Sequence, residues 1–183
     1  MSGVCTTVAP LYKKRDKIYR EVAGLLCEKG IAHPQMESLT AEERSFAEKY
    51  FIADVLPVLS PQIINAHHPF PHLVNKAIYI VLQLKISDKT AYGIIPMPAM
   101  QDRLIFLPGS GVRYILLEEL IYQYAERVFD NCEIHAKSII CVTRNADINV
   151  DSLPDEDEDF RHHMKKVLRK RSRLAPVRLE HCG

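Results

Sequence analysis

The stretch FIADVLPVLSPQIINAHHPFPHLVNKAIYIVLQL, residues 51–84, contains the change of pattern that decides the fold. Pro57 and Pro61 end any helix that precedes them, because proline lacks an N–H and disfavours helical geometry in the residue before it. The His-Pro-Phe-Pro motif of residues 68–71 predicts an extended loop, and residues 77–84 then alternate as in a strand. We therefore expect a domain boundary here, between residues 1–56 and residues 57–183.

The first part of the chain has a helical pattern from about residue 12 to residue 52. Gly30 is a plausible helix stop, and the sequence TAEE from Thr40 to Glu43 predicts a capping box at the start of a second helix. Two helices alone make a poor domain, so we expect them to need packing partners. The apolar residues of the first helix recur at the spacing of a buried helix face: Ile18, Val22, Leu25 and Leu26.

The second part mixes strands and helices without a regular alternation. The pattern predicts strands at residues 77–84, 92–95, 103–107, 133–143 and 176–180, helices at 117–128 and 155–172, and a turn at 108–111. The predicted fold class is α+β: a short helical N-terminal segment followed by a mixed sheet-and-helix domain over residues 57–183.

Composition excludes several classes of protein. The chain has 183 residues, 47% of them hydrophobic and 26% charged, and a net charge of +1, so we expect no nucleic-acid partner. No apolar run approaches the length of a transmembrane helix, and the first residues do not predict a signal peptide. The five cysteines are scattered and never form a CxxC pair, which favours reduced thiols and a cytoplasmic protein.

Three histidines near the proline motif raise the question of a metal site: His67, His68 and His72. No carboxylate or thiol lies near them with a familiar ligand spacing, and structural zinc takes four ligands. We therefore predict no metal site. The favoured interpretation is that the prolines hold an extended loop, which Phe70 and Leu73 pack onto the sheet.

Other chemical signals are also weaker than their structural alternatives. The acidic run 155–159 and the basic residues that follow it match the dipole of a solvated helix, although contact with a polyanion stays an alternative. Arg144 and Asp147 leave a strand end together, where a local ion pair or turn cap is favoured over a ligand contact. Cys141 lies in an apolar strand and is expected to be inert. There is no GxSxG elbow and no GxxxxGK[ST] phosphate loop.

Four motifs occur in the order found in one enzyme family. They are DVLPVLSP at residues 54–61, HPFP at 68–71 with Asn75 following, VTRNAD at 142–147 and PVRL at 176–179. The sequence LEELI at 117–121, after Arg-Tyr, fits the same series. Together they cover nearly the whole chain, which resembles the polyphosphate kinases, enzymes that move phosphate between ATP and polyphosphate.

The resemblance implies a role without catalysis for this chain. The family has a helical N-terminal domain, a head domain and two catalytic domains, in which a phosphohistidine, arginines and Mg²⁺ act on ATP. This chain is similar to the end of the helical domain and part of the head, so no residue receives a catalytic role and no cofactor is assigned to the chain itself. ATP and Mg²⁺ belong to the full-length family enzyme.

Two functions follow as expectations from this resemblance. In the first, the chain is a structural portion of a polyphosphate kinase that helps to form the dimer and the wall of the phosphate tunnel. The other domains bind polyphosphate and ATP, and the chain self-associates as a dimer. In the second, it is an independent module that binds polyphosphate or a protein partner. The ligand or interface candidates are His68, Phe70 and Arg144.

Overall fold

A computed structural model describes residues 2–65, 68, 70–86, 89–130, 132–144 and 176–182. The contacts divide the chain into two compact units. The first contains Met1–Val55 and Gln101–Gln123, and the second contains Leu56–Met100 and Tyr124–Gly183.

The first unit combines helices with a small sheet. Helix α1 spans Ser2–Glu28, and α2 spans Ala41–Tyr50 and continues into a π-helical turn, Phe51–Val55. Strand β1 (Ile31–Ala32) pairs in parallel with β6 (Val112–Leu116), which pairs antiparallel with β5 (Leu104–Phe106). Helix α3, Leu117–Gln123, follows β6 directly.

The predicted stop of the first helix and the predicted start of the second are confirmed. Gly30 has a φ of +78°, a left-handed conformation that glycine adopts without steric cost, just after α1 ends. At the start of α2, the Glu43 N–H donates to the Thr40 hydroxyl at 3.2 Å, and the Thr40 N–H donates to the Glu43 carboxylate at 2.9 Å. This is the predicted capping box.

The predicted burial of the α1 face is wrong for this chain. The helix exists and begins earlier than expected, with Pro10 inside it. Its apolar residues Ile18, Val22 and Leu25 are nevertheless exposed. The periodicity of the sequence shows that one face of a helix is apolar, but it does not identify the element that covers that face.

The second unit is built on a five-stranded antiparallel sheet. Its strands are β2 (Gln62–Ile64), β3 (Ile78–Ile86), β4 (Lys89–Pro96), β7 (Glu133–Arg144) and β8 (Pro176–Cys182), in the spatial order β2-β4-β3-β7-β8. A core cluster of Leu73, Tyr79, Ile94 and Val142 packs on this sheet. The long apolar strands that the sequence predicted are therefore the strands that build the sheet, and the α+β class is confirmed.

Gly93 marks a close approach inside this unit. A Cβ atom at Gly93 would lie 2.7 Å from the Cζ atom of Phe129 and 3.1 Å from a methyl of Leu84. Both Phe129 and Leu84 are buried. Only a residue without a side chain therefore lets the Phe129 ring pack over β4 without displacement.

Several parts of the sequence differ from their predicted structure. The proline-rich segment in which we expected only a domain boundary and an extended loop supplies β2, which pairs with β4 at the sheet edge. The helix predicted over residues 117–128 is shorter: α3 ends at Gln123, and a 3₁₀ turn, Ala125–Arg127, follows. The strand β6, just before α3, was not predicted.

The grouping of residues also differs from a single division at residue 56. Residues 101–123 follow that position in sequence but belong to the first unit, because β6 pairs with β1 and α3 packs beside the π-helical turn. Among the described helices, none is long and apolar enough to cross a membrane.

Candidate functional site

Two of the three predicted site residues line one cleft in the second unit. This cleft, which we call the loop cleft, has a volume of about 460 Å³ and lies between the proline-motif loop and the ends of β7 and β8. Its lining includes both Phe70 and Arg144. The described residues that line it are Phe70, Leu73, Ile140, Val142, Arg144, Pro176, Val177, Arg178 and Leu179.

Arg144 fixes the loop to the end of β7. Its Nε donates to the Leu73 carbonyl at 2.8 Å, and its backbone N–H donates to Oδ1 of Asn75 at 2.9 Å. The sequence favoured a local turn cap or ion pair over a ligand contact for Arg144. The observed role is a structural one, although its partners lie about 70 positions earlier in the chain.

Asn75 and Tyr79 complete this attachment, and sequence reasoning missed what they do. The Tyr79 hydroxyl accepts from the Val74 N–H at 2.8 Å, and the Lys76 N–H donates to the Val142 carbonyl at 2.8 Å. Lys76 has a φ of +62°, an uncommon conformation for a residue with a side chain. These bonds hold the loop in a sharp turn. The only sequence signal was Asn75 after the proline motif.

Phe70 and Leu73 differ in burial. We expected both side chains to pack onto the sheet. Leu73 is buried in the core cluster, as predicted, whereas Phe70 is 62% exposed at the mouth of the loop cleft. Phe70 therefore presents an aromatic ring to solvent in a cleft whose lining also includes Arg144 and Arg178.

His68 is the predicted site residue that the structure does not bring to the loop cleft. Its backbone N–H donates to Oδ1 of Asn65 at 3.0 Å, and its Nδ1 lies 3.1 Å from the same oxygen. The side chain is thus part of a local turn. His67, residues 145–147 and the predicted helix 155–172 lie outside the described residues.

The loop cleft offers apolar surface and two arginines, of which Arg178 is paired with Glu180 of the same strand. Among the described residues that line it there is no serine, cysteine, histidine or carboxylate that could act as nucleophile or base. Within the described residues, no group of three or more potential ligands could hold a metal ion. The chemistry available to these side chains is the packing of an apolar group and the binding of an anion by arginine.

The first unit contains an ion pair between a buried carboxylate and a half-buried arginine. Arg113 of β6 donates from Nε to Glu43 at 2.5 Å and from Nη2 at 3.1 Å. The Arg113 guanidinium holds the pKa of Glu43 below its ordinary value, despite the opposing effect of burial, and the Thr40 N–H acts in the same direction as Arg113. The carboxylate thus caps α2 and joins α2 to β6.

A second buried carboxylate, that of Glu118, is also paired with an arginine. Glu118 of α3 is buried and accepts from Arg103 Nε at 2.9 and 3.1 Å. The hydrogen bond from Arg103 to Glu118 raises the pKa of Arg103. Both buried carboxylates of the described chain are thereby satisfied by an arginine of their own unit.

The first unit has a cavity of its own, with a volume of about 640 Å³, and a histidine is among its lining residues. His33 Nε2 lies 2.8 Å from Glu119, and its ring stacks on Tyr114 at a centroid distance of 5.0 Å. Glu119 also accepts from the Leu116 N–H at 3.0 Å. The histidine therefore connects β6 and α3 to the segment after β1.

Comparison with known proteins identifies what this fold is similar to. The family model described as polyphosphate kinase middle domain matches residues 42–182. The chain is 35% identical over 159 residues to a polyphosphate kinase of Bacillus anthracis, a match that covers 82% of this chain and 22% of the relative. It is 33% identical over 176 residues to the polyphosphate kinase of Halalkalibacterium halodurans, with 93% and 25% covered.

A solved structure shares the fold. The crystal structure of polyphosphate kinase from Porphyromonas gingivalis superimposes with a TM-score of 0.69 at 18% identity, over 77% of this chain and 25% of that one. The chain spans about a quarter of the length of the curated relatives it matches.

Proposed function

The chain belongs to the polyphosphate kinase family, and from this premise we propose that it is a structural portion of an enzyme that reversibly transfers the terminal phosphate of ATP to polyphosphate. In this proposal the two units form part of the framework that shapes the path of the phosphate chain. The catalytic histidine and arginines, with ATP and Mg²⁺, belong to other domains of the enzyme. The enzyme acts in the cytoplasm and forms a dimer.

The use of the charged groups supports a framework role. Glu43 and Glu118 are buried against Arg113 and Arg103, and Arg144 donates to a loop carbonyl. These charges hold elements of the same unit together. Catalytic groups of a phosphotransferase would instead point toward a shared space where nucleotide and metal meet.

A phosphotransfer assay tests the framework role. The purified chain is incubated with ATP, Mg²⁺ and polyphosphate, and the reaction is followed in both directions through the formation of ADP and of ATP. We expect no turnover above that of buffer. Turnover that tracks the chain through purification would contradict the proposal and assign catalysis to this chain.

The loop cleft favours a second candidate function, an independent module that binds polyphosphate. Arg144 and Arg178 line it together with the exposed ring of Phe70. Guanidinium groups are suited to phosphate oxygens, because their planar donors match the geometry of the anion.

A matched pair of variants tests this alternative. Phe70 and Phe106 are 62% and 60% exposed, and only Phe70 lies in the loop cleft. Titration with polyphosphate compares Phe70→Ala with the control Phe106→Ala. Tight binding that Phe70→Ala weakens and Phe106→Ala does not would support the module, whereas no binding by the unmodified chain would exclude it.

A further inference from the structure

The cavity of the first unit has the size and the lining of a small-molecule site. Its volume of about 640 Å³ lies within the range of about 300–1,000 Å³ that is usual for such sites. Helix α1 contributes Tyr19, Val22 and Leu26 to the lining, and further residues come from β1, the segment after it, β6 and α3. Small-molecule sites combine an apolar lining with a few polar groups that select the ligand. The polar groups of this cavity therefore indicate what it can bind.

Glu119 is a polar group of the lining with acceptor capacity to spare. Its Oε2 atom lies 2.8 Å from Nε2 of His33 and accepts from the Leu116 N–H at 3.0 Å. Both bonds involve the same oxygen, whereas an ionised carboxylate accepts through both of its oxygens. In the part of the chain that the structure describes, Oε1 has no hydrogen-bond donor. A ligand with an N–H donor can supply one.

The charges around the cavity favour a cation. Arg113 and Glu119 are the charged residues among the described lining, apart from a histidine. Arg113 donates twice to Glu43, and Arg103, which also interacts electrostatically with Glu119, donates to Glu118. Histidine side chains are ordinarily neutral at about pH 8. At that pH the two ion pairs balance their own charges, and the negative charge of Glu119 is left for a ligand.

Aromatic rings lie beside this carboxylate. The His33 ring stacks on Tyr114 with an angle of 6° between the two planes, and the Tyr19 hydroxyl lies 3.3 Å from Nδ1 of His33. All three rings line the cavity. Aromatic rings pack against flat apolar groups, and their faces attract cations. The lining therefore suits a ligand that has a positive charge next to an aromatic body.

We propose that this cavity binds an organic cation, an ammonium group on a flat apolar body. The ammonium donates a charge-assisted hydrogen bond to Oε1 of Glu119. The apolar body packs against the Tyr114 ring and against Val22 and Leu26 of α1. An organic anion of the same shape is repelled by the carboxylate, and a neutral molecule gains the apolar contact alone.

The absence of tryptophan from the sequence allows a direct measurement. Tryptamine has an ammonium group on an indole ring, and its fluorescence anisotropy, excited where tyrosine does not absorb, reports binding without a background from the protein. Tryptophol has a hydroxyl in place of the ammonium, and indole-3-propionate has a carboxylate. At about pH 8 we expect tryptamine to bind about tenfold more tightly than tryptophol, and indole-3-propionate to bind most weakly.

Glu119→Gln tests the assigned carboxylate. The amide oxygen still accepts from the Leu116 N–H, but the negative charge is gone. The Kd of tryptamine should rise about tenfold, and that of tryptophol should stay the same. Glu42→Gln is the matched control, since it makes the same change at an exposed carboxylate of the same unit that does not line the cavity.

A second variant leaves the bonds of Glu119 intact. Val22→Lys adds a positive charge to the cavity, and Val22 is 47% exposed, so the longer side chain has room. We expect about tenfold weaker binding of tryptamine and no weaker binding of indole-3-propionate. Val58 is 49% exposed and does not line the cavity, so Val58→Lys is the control and should change neither Kd. Circular dichroism verifies that each variant is folded.

The outcomes separate clearly. Tryptamine binding that Glu119→Gln and Val22→Lys weaken and both controls preserve would support the proposal. Equal binding of tryptamine and tryptophol would overturn it, as would tryptamine binding that neither variant changes. A folded, unmodified chain that binds no tryptamine at millimolar concentration would also overturn it. The assay contains neither ATP nor polyphosphate, so its result does not bear on the framework role.

Discussion

Removing Arg113 should destabilise the first unit more than removing the charge of Glu43. The carboxylate of Glu43 is 4% exposed, whereas the Arg113 side chain is 32% exposed. Arg113→Met therefore leaves an ionised group almost without water. Glu43→Gln leaves a guanidinium that water can partly reach.

The structure gives a magnitude for each change. Breaking a buried ion pair from one side costs about 3–5 kcal/mol. Glu43 keeps the Thr40 N–H as a donor, so we expect the lower end, about 3 kcal/mol, for Arg113→Met. In Glu43→Gln the amide oxygen still accepts a hydrogen bond, but the charge of the carboxylate is gone. We therefore expect the free energy of unfolding to fall by about 1.5 kcal/mol.

The pH dependence provides a second, independent check. In the folded chain the pKa of Glu43 is lower than its ordinary value of 4.5. The stability from the pair is therefore present above that value and is lost as the pH falls through the lower folded pKa. In Arg113→Met, burial without a partner raises the folded pKa, so protonation relieves the cost as the pH falls.

Urea unfolding followed by far-UV circular dichroism measures both effects. The difference in unfolding free energy between the unmodified chain and Arg113→Met should shrink as the pH falls below 4.5. Two results would refute the reasoning: a difference that does not change with pH, or an equal loss in Glu43→Gln and Arg113→Met at neutral pH.

Three further substitutions test other contacts. Thr40→Ala should lower the free energy of unfolding by about 1 kcal/mol, because the cap is lost. Thr40→Ser keeps a hydroxyl and should lower it much less; urea unfolding compares the two variants. Asn75→Ala should raise hydrogen exchange at the Arg144 amide about tenfold, since that N–H loses its acceptor, and an unchanged rate would contradict the assigned bond. Gly93→Ala should cost about 1–3 kcal/mol by overpacking against Phe129, and adding Phe129→Leu should recover part of the loss in a thermal melt.

The sequence predicted those elements whose pattern is long and locally complete. Strands β3 and β7 have 9 and 12 residues, and the prediction placed both of them. Strands β1 and β2 have only 2 and 3 residues, and they exist because a distant strand supplies their hydrogen bonds. Strand β6 passes directly into α3, so its short apolar pattern was not separated from the predicted helix.

In the candidate site, too, the sequence did not predict contacts between residues that lie far apart in the chain. Phe70 and Arg144 were chosen from motifs 74 positions apart, and the fold brings both to the loop cleft. His68 belongs to the same motif as Phe70 but turns to Asn65. The function of Asn75 depends on a hydrogen bond to β7, far along the chain, and no local pattern contains that information.

The return of residues 101–123 to the first unit has a consequence for synthesis on the ribosome. The first 55 residues leave the ribosome without β6, which is made only after the hairpin of β3 and β4. At about 5–20 residues per second, several seconds pass between the synthesis of residue 55 and that of β6. During that time α1 and α2 are made but Arg113 is not, so Glu43 lacks its ion-pair partner. The order of translation thus predicts that the hairpin folds before the first unit is complete.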